Sequence, residues 1–408
     1  MKTKFMFTIR TIFIVLGLIM IISGCRPGIR DDAVKQVPLV ELKPRQYPDF
    51  YDTLQFKGLT ASIDNSLIYF KRVPLDREYR FGKERFTAAR LIVSLERFKA
   101  FVEKEPSKKE LEHFIREHYK VYAAAGNRDQ KVLFTGYYEP TYEGSIEKTD
   151  ACRYPVYSKP DDMMEIDLSL FSEKYKGHRR LMARVNRDRN RVIPYYSRGQ
   201  INEMEDFWKR AEPVVWLKNR VDRFFLEIQG SGRIDLGSGE VMRVGYAGSN
   251  GNAYRSIGRY LIDQNEIKSE DMSMQAIRSW LERHPERMDE VLHYNDSFVF
   301  FRKGEGGPYG SIGVTVSPFR SIATDSRLFP KGALCFVDAQ LPDRVNINPI
   351  KEWEPASFFV LNQDTGGAIK GPGRADIFCG NDNYAEYTAG HMKVYGRLYF
   401  LVLNASSE

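Results

Sequence analysis

The sequence predicts a mainly β fold with some helices (α+β), built from β-barrels rather than from a layered α/β sheet. Three observations carry this expectation. Short runs rich in Val, Ile, Phe or Tyr recur from Lys131 onward, each bounded by Gly, Pro, Asn or Asp. Helical periodicity is confined to a stretch before those runs and to two interruptions among them. Glycine corners join the runs, as the tight turns of small barrels require. No internal repeat is visible.

The N-terminus has its own pattern. Lys2, Lys4 and Arg10 form a basic head, and Thr11 to Ile22 is a low-polarity core of 12 residues. A membrane span needs roughly 20, so the core has signal-peptide length. It ends Ile22-Ser23-Gly24-Cys25, the shape of a lipobox, with Cys25 as the lipidation site. The alternative is a plain cleaved signal sequence with an incidental cysteine. Arg26 rather than Asp follows, so no inner-membrane retention signal is expected. Several acyl chains on one cysteine, at about 0.8 kcal/mol per buried CH2, make a stable anchor. Cleavage before Cys25 leaves 384 residues, enough for two or three domains and a sizeable core.

Losing the three basic residues lowers the formal charge from +7 to +4. That mild excess suits a polyanionic polymer, or only solubility. No Lys/Arg run with interleaved aromatics points to nucleic acid. The six histidines lack HExxH or paired-ligand spacing, so neither a metal nor another cofactor is expected. Cys152, Cys335 and Cys379 are odd in number and widely spaced, which argues against a disulfide framework and for small buried residues.

From Arg26 to about Phe50 the chain is polar and proline-containing, as a tether would be. Leu91, Leu95, Phe98 and Val102 then recur at three- and four-residue intervals, the apolar face of a helix. Ser107-Lys108-Lys109-Glu110 is a capping box opening a second helix through Tyr122. The expected strands are Lys131–Phe134, Arg223–Ile228, Val241–Tyr246, Phe298–Arg302, Ile312–Val316, Ala333–Asp338, Phe358–Leu361 and Arg397–Leu403. Helices interrupt at about Ala253–Asp263 and Ser273–Arg283, and Asp161–Asn190 is charged and loop-like.

Three aspartates in the last quarter stand in unusual surroundings. Asp325 ends Arg320-Ser321-Ile322-Ala323-Thr324-Asp325. Asp364 sits in Asn362-Gln363-Asp364-Thr365-Gly366-Gly367, and Asp376 in Arg374-Ala375-Asp376-Ile377-Phe378-Cys379-Gly380. Glycines between Asp364 and Asp376 allow close backbone approach, and room for a sugar. Apolar neighbours can desolvate Asp376 and raise its pKa. Breaking a glycosidic bond needs a proton on the leaving oxygen, so carboxyls are the expected tool. Asp beside Gly also commonly caps turns. Composition and spacing alone leave a carbohydrate or peptide hydrolase, or a binding barrel.

The aspartate cluster resembles the three-aspartate ("3D") C-terminal domain of the membrane-bound lytic murein transglycosylase A family. The resemblance extends upstream through Phe134-Thr135-Gly136-Tyr137-Tyr138-Glu139-Pro140, Tyr154-Pro155-Val156-Tyr157 and Pro194-Tyr195-Tyr196. Gln229-Gly230-Ser231-Gly232-Arg233, Val244-Gly245-Tyr246-Ala247-Gly248-Ser249-Asn250-Gly251 and Tyr254-Arg255-Ser256-Ile257-Gly258-Arg259 follow in order. Six motifs in sequence, spanning roughly Asp49 to Leu403, are far more specific than any one. Two places depart from the family pattern. Asn295-Asp296-Ser297-Phe298 stands where Asn-Pro-Ser-Tyr is usual, and Asn219-Arg220 where Asp-Pro is usual; both look like changes of turn chemistry.

The resemblance implies a double-psi β-barrel carrying the aspartates, with a second small β-barrel inserted and a glycan groove between them. The N-terminal pattern gives a signal peptide at 1–24 and a tether at 25–50; the resemblance implies the first part of the barrel domain at 51–137, an insert at 138–303, and the second part at 304–408. The implied activity is lytic transglycosylation of peptidoglycan strands between N-acetylmuramic acid and N-acetylglucosamine. Asp376 matches the catalytic acid/base. Asp325 and Asp364 either support it by charge or tie barrel loops together. Tyr137, Gln229, Ser231 and Tyr246 become candidate substrate-binding residues, since aromatic faces stack on sugars and polar tips bind N-acetyl groups. Buried packing is the alternative for both tyrosines. A monomer held at the periplasmic face of the outer membrane by its lipid is expected. Two alternatives are a hydrolytic glycosidase on the same barrel, needing a second carboxylate to activate water, and a non-catalytic peptidoglycan-binding lipoprotein.

Overall fold

The computed structural model describes residues 37–404 except 128, 177–179, 238, 305 and 344–351. The basic head, its apolar core and Cys25 lie outside the described residues. The expected tether does not reach Phe50. Leu39–Glu41 forms a strand, β1, and Leu39, Tyr47 and Phe50 are buried, so apolar residues spaced through this polar stretch anchor it to the core.

Ahead of the expected helices stand helix α1 (Leu59–Phe70) and the hairpin β2 (Glu78–Phe81)–β3 (Glu84–Thr87), both unread in the sequence. Helix α2 (Ala88–Val102) buries the predicted Leu91, Leu95, Phe98 and Val102, and Thr87 caps it by accepting the Arg90 N–H. Helix α3 (Lys108–His118) opens with the predicted capping box of Ser107 and Glu110. It stops four residues short of Tyr122, because Tyr119–Ala124 becomes strand β4 and buries Tyr119 and Val121 beside the barrel.

Next come β5 (Val132–Tyr137), β6 (Thr141–Ser145) and β7 (Tyr154–Tyr157). The stretch expected to be loop-like instead contains β8 (Met164–Ile166) and β9 (Leu181–Asn186), which with β10 (Arg191–Pro194) form a three-stranded sheet. Its charges mask a period-two alternation along Leu181, Ala183 and Val185. Helix α4 (Arg198–Glu203) and β11 (Pro213–Leu217) follow.

Arg223–Ile228, expected as a strand, lies within helix α5 (Arg220–Gln229). Val221, Phe224 and Phe225 share one buried face at three- and four-residue spacing. Asn219, one of the departures from the family pattern, starts this helix by accepting the Val221 N–H, and Gly230 ends it at φ +78°.

The chain continues through β12 (Ser231–Asp235), β13 (Val241–Ser249), α6 (Ile257–Asp263), α7 (Met274–Arg283), α8 (Met288–Tyr294) and β14 (Val299–Gly304). Helix α6 begins four residues later than expected, because Ser256 is its cap. Ile312–Val316 is not a strand; a single Tyr309–Thr315 bridge closes a turn around Gly313 at φ +68°. The last elements are β15 (Ser321–Ala323), β16 (Leu334–Pro342), β17 (Trp353–Asp364), β18 (Arg374–Phe378), α9 (Asn383–His391) and β19 (Val394–Leu403).

Six strands close a barrel in the order β19-β16-β17-β15-β18-β5 and back to β19, with β4 and β1 added outside β19. The β15–β17 and β18–β5 pairs are parallel, and the other four are antiparallel. A second sheet runs β14-β13-β12-β6-β11-β7. Its edges β7 and β14 curl to within 8 Å of each other. Each sheet has its own core: Phe336, Phe358 and Phe359 belong to the first, Phe224, Phe225 and Trp280 to the second. The architecture is α+β and mainly β, as expected. Cys152, Cys335 and Cys379 are buried free thiols.

Candidate active site

Strand β18 buries Ala375 and Ile377 in the barrel and therefore turns Arg374 and Asp376 to the opposite face. Parallel register puts Thr135 of β5 beside Asp376, and the Thr135 hydroxyl donates to Asp376 Oδ1 at 2.7 Å. Arg374 Nη2 donates to Thr135 Oγ1 at 3.4 Å. Burial pushes the Asp376 carboxyl up to about 6, against the lowering effects of Thr135 and Arg374 and with a further push from the charge of Asp364. Asp376 is thus an acid that can both hold and release its proton near neutrality.

Asp364 ends β17 close by. Its Oδ1 accepts the Ser311 N–H at 2.8 Å and the Thr365 N–H at 2.7 Å, and its Oδ2 accepts the Tyr137 hydroxyl at 2.9 Å. Burial raises its pKa, and these donors and Lys331 pull against the rise. Tyr137 shares a face of β5 with Thr135 and sets its ring 5.2 Å from that of Phe378. Burial first, then Asp364, keeps the Tyr137 phenol protonated well beyond its usual range.

An Asp364→Asn variant keeps one acceptor for the two backbone donors and loses a charge. We expect it to cost roughly 1 kcal/mol in thermal unfolding. It should also move the acidic group governing activity below about 6, since Asp364 now pushes Asp376 upward. A pH–rate profile of the variant checks the shift.

Asp325 is elsewhere in character. Its buried carboxyl receives Arg327 through Nη2 at 2.7 Å and Nε at 3.0 Å, the Arg327 N–H at 3.1 Å, and the Gly371 N–H at 3.0 Å. Burial alone would raise its pKa; these partners override it and hold the carboxyl at about 2. Asp325 ties the turn before β16 to the glycine loop before β18. Because its folded pKa is depressed, the stability it adds is present at neutral pH and is lost as pH falls toward about 2.

The other candidate residues lie on or beside the second sheet. Gln229 Oε1 accepts the Tyr138 N–H at 3.2 Å, pinning the end of α5 to the chain that leaves β5. Ser231 opens β12 opposite Gly245 of β13. A Cβ at Gly245 would meet no atom within 4 Å, so this surface is open. Tyr246 is 53% exposed, so buried packing does not explain it. Tyr254, in the loop after β13, lies within electrostatic reach of Arg374. That loop and β18 therefore border one space.

Thr135, Arg374, Tyr254 and Lys331 were missed as individual residues, although the first three lie in motifs already singled out. A cavity of about 430 Å³ lies apart from the aspartates, lined by Arg153, Tyr157, Asn202, Arg223 and His293. Among the described residues no group of three His, Cys, Asp or Glu side chains converges as a metal site.

Comparison with known proteins agrees with this architecture. Family models for the MltA specific insert domain and the 3D domain match residues 133–302 and 320–402. Membrane-bound lytic murein transglycosylase A of Escherichia coli K12 is 34% identical over 66% of this chain and 65% of its own length. The match thus spans just under two thirds of that relative. Its counterpart in Vibrio cholerae is 30% identical over 69% of this chain and 68% of its own. The crystal structure of a membrane-bound lytic murein transglycosylase from Agrobacterium tumefaciens superposes with a TM-score of 0.72 at 27% identity, covering 90% of this chain and 98% of that one. Escherichia coli MltA, crystallised with bound chitohexaose, superposes with a TM-score of 0.69 at 25% identity, covering 90% and 94%. Barrel, insert and aspartate cluster thus agree with the sequence matches, and the chain belongs to the membrane-bound lytic murein transglycosylase A family.

Proposed function

We propose that this protein cleaves the β-1,4 bond between N-acetylmuramic acid and N-acetylglucosamine in peptidoglycan without water. The carrying observation is Asp376, a single carboxyl raised to about 6 on the open face of the barrel. In its protonated form it gives its proton to the bridging O4 as the C1–O4 bond breaks. The resulting carboxylate then takes the proton of the muramic C6 hydroxyl while that oxygen bonds to C1. The product is a 1,6-anhydro sugar, and Asp376 ends protonated again. Sequential steps in opposite protonation states allow one group to do both.

A hydrolase would need a second carboxylate with a free oxygen to activate water. Asp364 has both oxygens engaged by three donors, and Asp325 is held by Arg327. That favours the lytic route. In this reading Asp364 and Asp325 support the site, and Tyr137 reaches the glycan through the edge of its ring. Gln229, Ser231 and Tyr246 form the facing wall, with Arg374 Nε, which lacks a partner among the described residues, available to a sugar oxygen. The chitohexaose bound by the Escherichia coli relative supports a glycan in such a groove. Purified protein should release soluble muropeptides from cell-wall sacculi. Folded protein that binds sacculi and releases nothing would instead favour a non-catalytic binding role.

The division into a barrel domain at 51–137 and 304–408 with an insert at 138–303 belongs to the same proposal. So does a monomeric outer-membrane lipoprotein facing the periplasm. No helix among the described residues is long and apolar enough to cross a membrane, and the sequence around Cys25 supplies a lipid anchor. Cys25→Ala should move the protein from the outer-membrane fraction to the soluble periplasm. Unchanged fractionation would place the anchor elsewhere.

A further inference from the structure

The three-stranded sheet β8–β10 has two unlike faces. Met182 and Arg184 turn inward: Met182 packs beside Gly251, and the Arg184 guanidinium lies 3.9 Å from the centre of the Tyr196 ring. By alternation and register, Met164, Ile166, Leu181, Val185 and Val192 share the other face, with the small Ala183 buried among them. Leu181, Val185 and Val192 are each about half exposed, and the turn beyond β8 presents Leu170 and Phe171 at 84% and 76% exposure. A soluble surface seldom presents so many aliphatic and aromatic side chains on one small sheet and its turn.

The charges around this face are selective. The β9–β10 turn carries Arg187, Arg189 and Arg191 against one acidic residue, Asp188. None of these three guanidinium groups has a hydrogen bond or ion pair among the described residues, and all are exposed. At the opposite end Lys174, Lys176 and Arg180 flank the apolar turn, with Lys176 paired to Glu173 and Arg180 to Glu165 and Asp167.

We propose that this face is a docking surface for an anionic phospholipid bilayer, with Leu170 and Phe171 entering the acyl boundary and the arginine turn meeting headgroup phosphates. Two physical points select this occupant. The apolar side chains protrude from short turns, whereas a protein partner would require a complementary shape that a fluid surface does not. The β9–β10 end of the strip carries excess positive charge without partners, which suits anionic headgroups.

The test uses the chain carrying Cys25→Ala, so that the acyl anchor does not itself sediment the protein. It should co-sediment with vesicles of phosphatidylethanolamine and phosphatidylglycerol but not of phosphatidylcholine, and raised salt should weaken the binding. Combined Leu170→Ser and Phe171→Ser, and separately Arg187, Arg189 and Arg191→Gln, should each reduce binding by about ten-fold or more. Because all five side chains are exposed, unfolding temperature and release of muropeptides from sacculi should be unchanged. Binding undiminished by either variant, equal binding to neutral vesicles, or no binding overturns the proposal. A dimer in light scattering that Phe171→Ser dissolves would reassign the face to self-association.

Discussion

Asp376→Asn is expected to abolish release of muropeptides from sacculi, with a rate loss of at least about 10²–10⁴-fold. The amide can neither give a proton to the glycosidic oxygen nor take one from the C6 hydroxyl, so both halves of the reaction fail. The fold should not suffer. Asn keeps the volume of Asp and its oxygen can still accept from Thr135. The sign of the linkage predicts more. Asp376 is raised from an ordinary 3.8 to about 6, so in the native enzyme it opposes folding increasingly as pH rises through that interval. Above pH 6 the Asn variant should therefore be at least as stable as the native protein in thermal unfolding. Native activity should fall as pH rises past about 6, since the proton donor is then lost. Near-normal lysis by folded Asp376→Asn would remove this residue from the chemistry.

Arg320→Ala should give the largest loss of stability. The side chains of Arg320 and Asp52 are both 0% exposed and form a two-pronged ion pair at 2.6 and 3.0 Å. Arg320 also donates to the Lys57 and Phe359 carbonyls at 2.8 and 2.9 Å, and Asp52 accepts the Leu54 and Phe359 N–H groups at 2.9 and 3.1 Å. This knot joins the chain before α1 to β17 and to the start of β15. Truncating Arg320 leaves the Asp52 charge buried and unpaired, a change that typically costs about 3–5 kcal/mol. Denaturant unfolding reads it directly, and a cost within about 1 kcal/mol would show that the pair does not hold these segments together. Specific activity per folded molecule should fall less than in Asp376→Asn, because Arg320 is fully engaged by Asp52, Lys57 and Phe359 and makes no contact with Asp376.

Much of this was legible because the relevant signals are local. The capping box at Ser107 and the period of Leu91, Leu95, Phe98 and Val102 depend only on neighbours along the chain, and both helices form where those signals lie. The errors arose where tertiary context decides. Arg223–Ile228 is rich in β-favouring residues, yet Asn219 and Gly230 cap it as a helix whose apolar side covers the second sheet. Residues 161–190 hide a sheet behind their charge. Leu39 looks like part of a tether until β4 offers it an edge.

The site divides in the same way. Asp376 stood out because it sits between apolar neighbours, and β18 buries Ala375 and Ile377 in the barrel. The different roles of Asp325 and Asp364 were not legible, because each depends partly on donors distant in sequence. Gly371 and Arg327 hold one, while Ser311, Thr365 and Tyr137 hold the other. Thr135 reaches Asp376 only through the parallel pairing of β5 with β18, a register that no short motif reveals.

Mass spectrometry of the muropeptides released from sacculi by the purified protein tests the central claim most directly. One carboxyl acting first as acid and then as base, with no second carboxylate free to activate water, predicts products ending in 1,6-anhydro-N-acetylmuramic acid. Products ending in a free reducing N-acetylmuramic acid, heavier by one water, would contradict it.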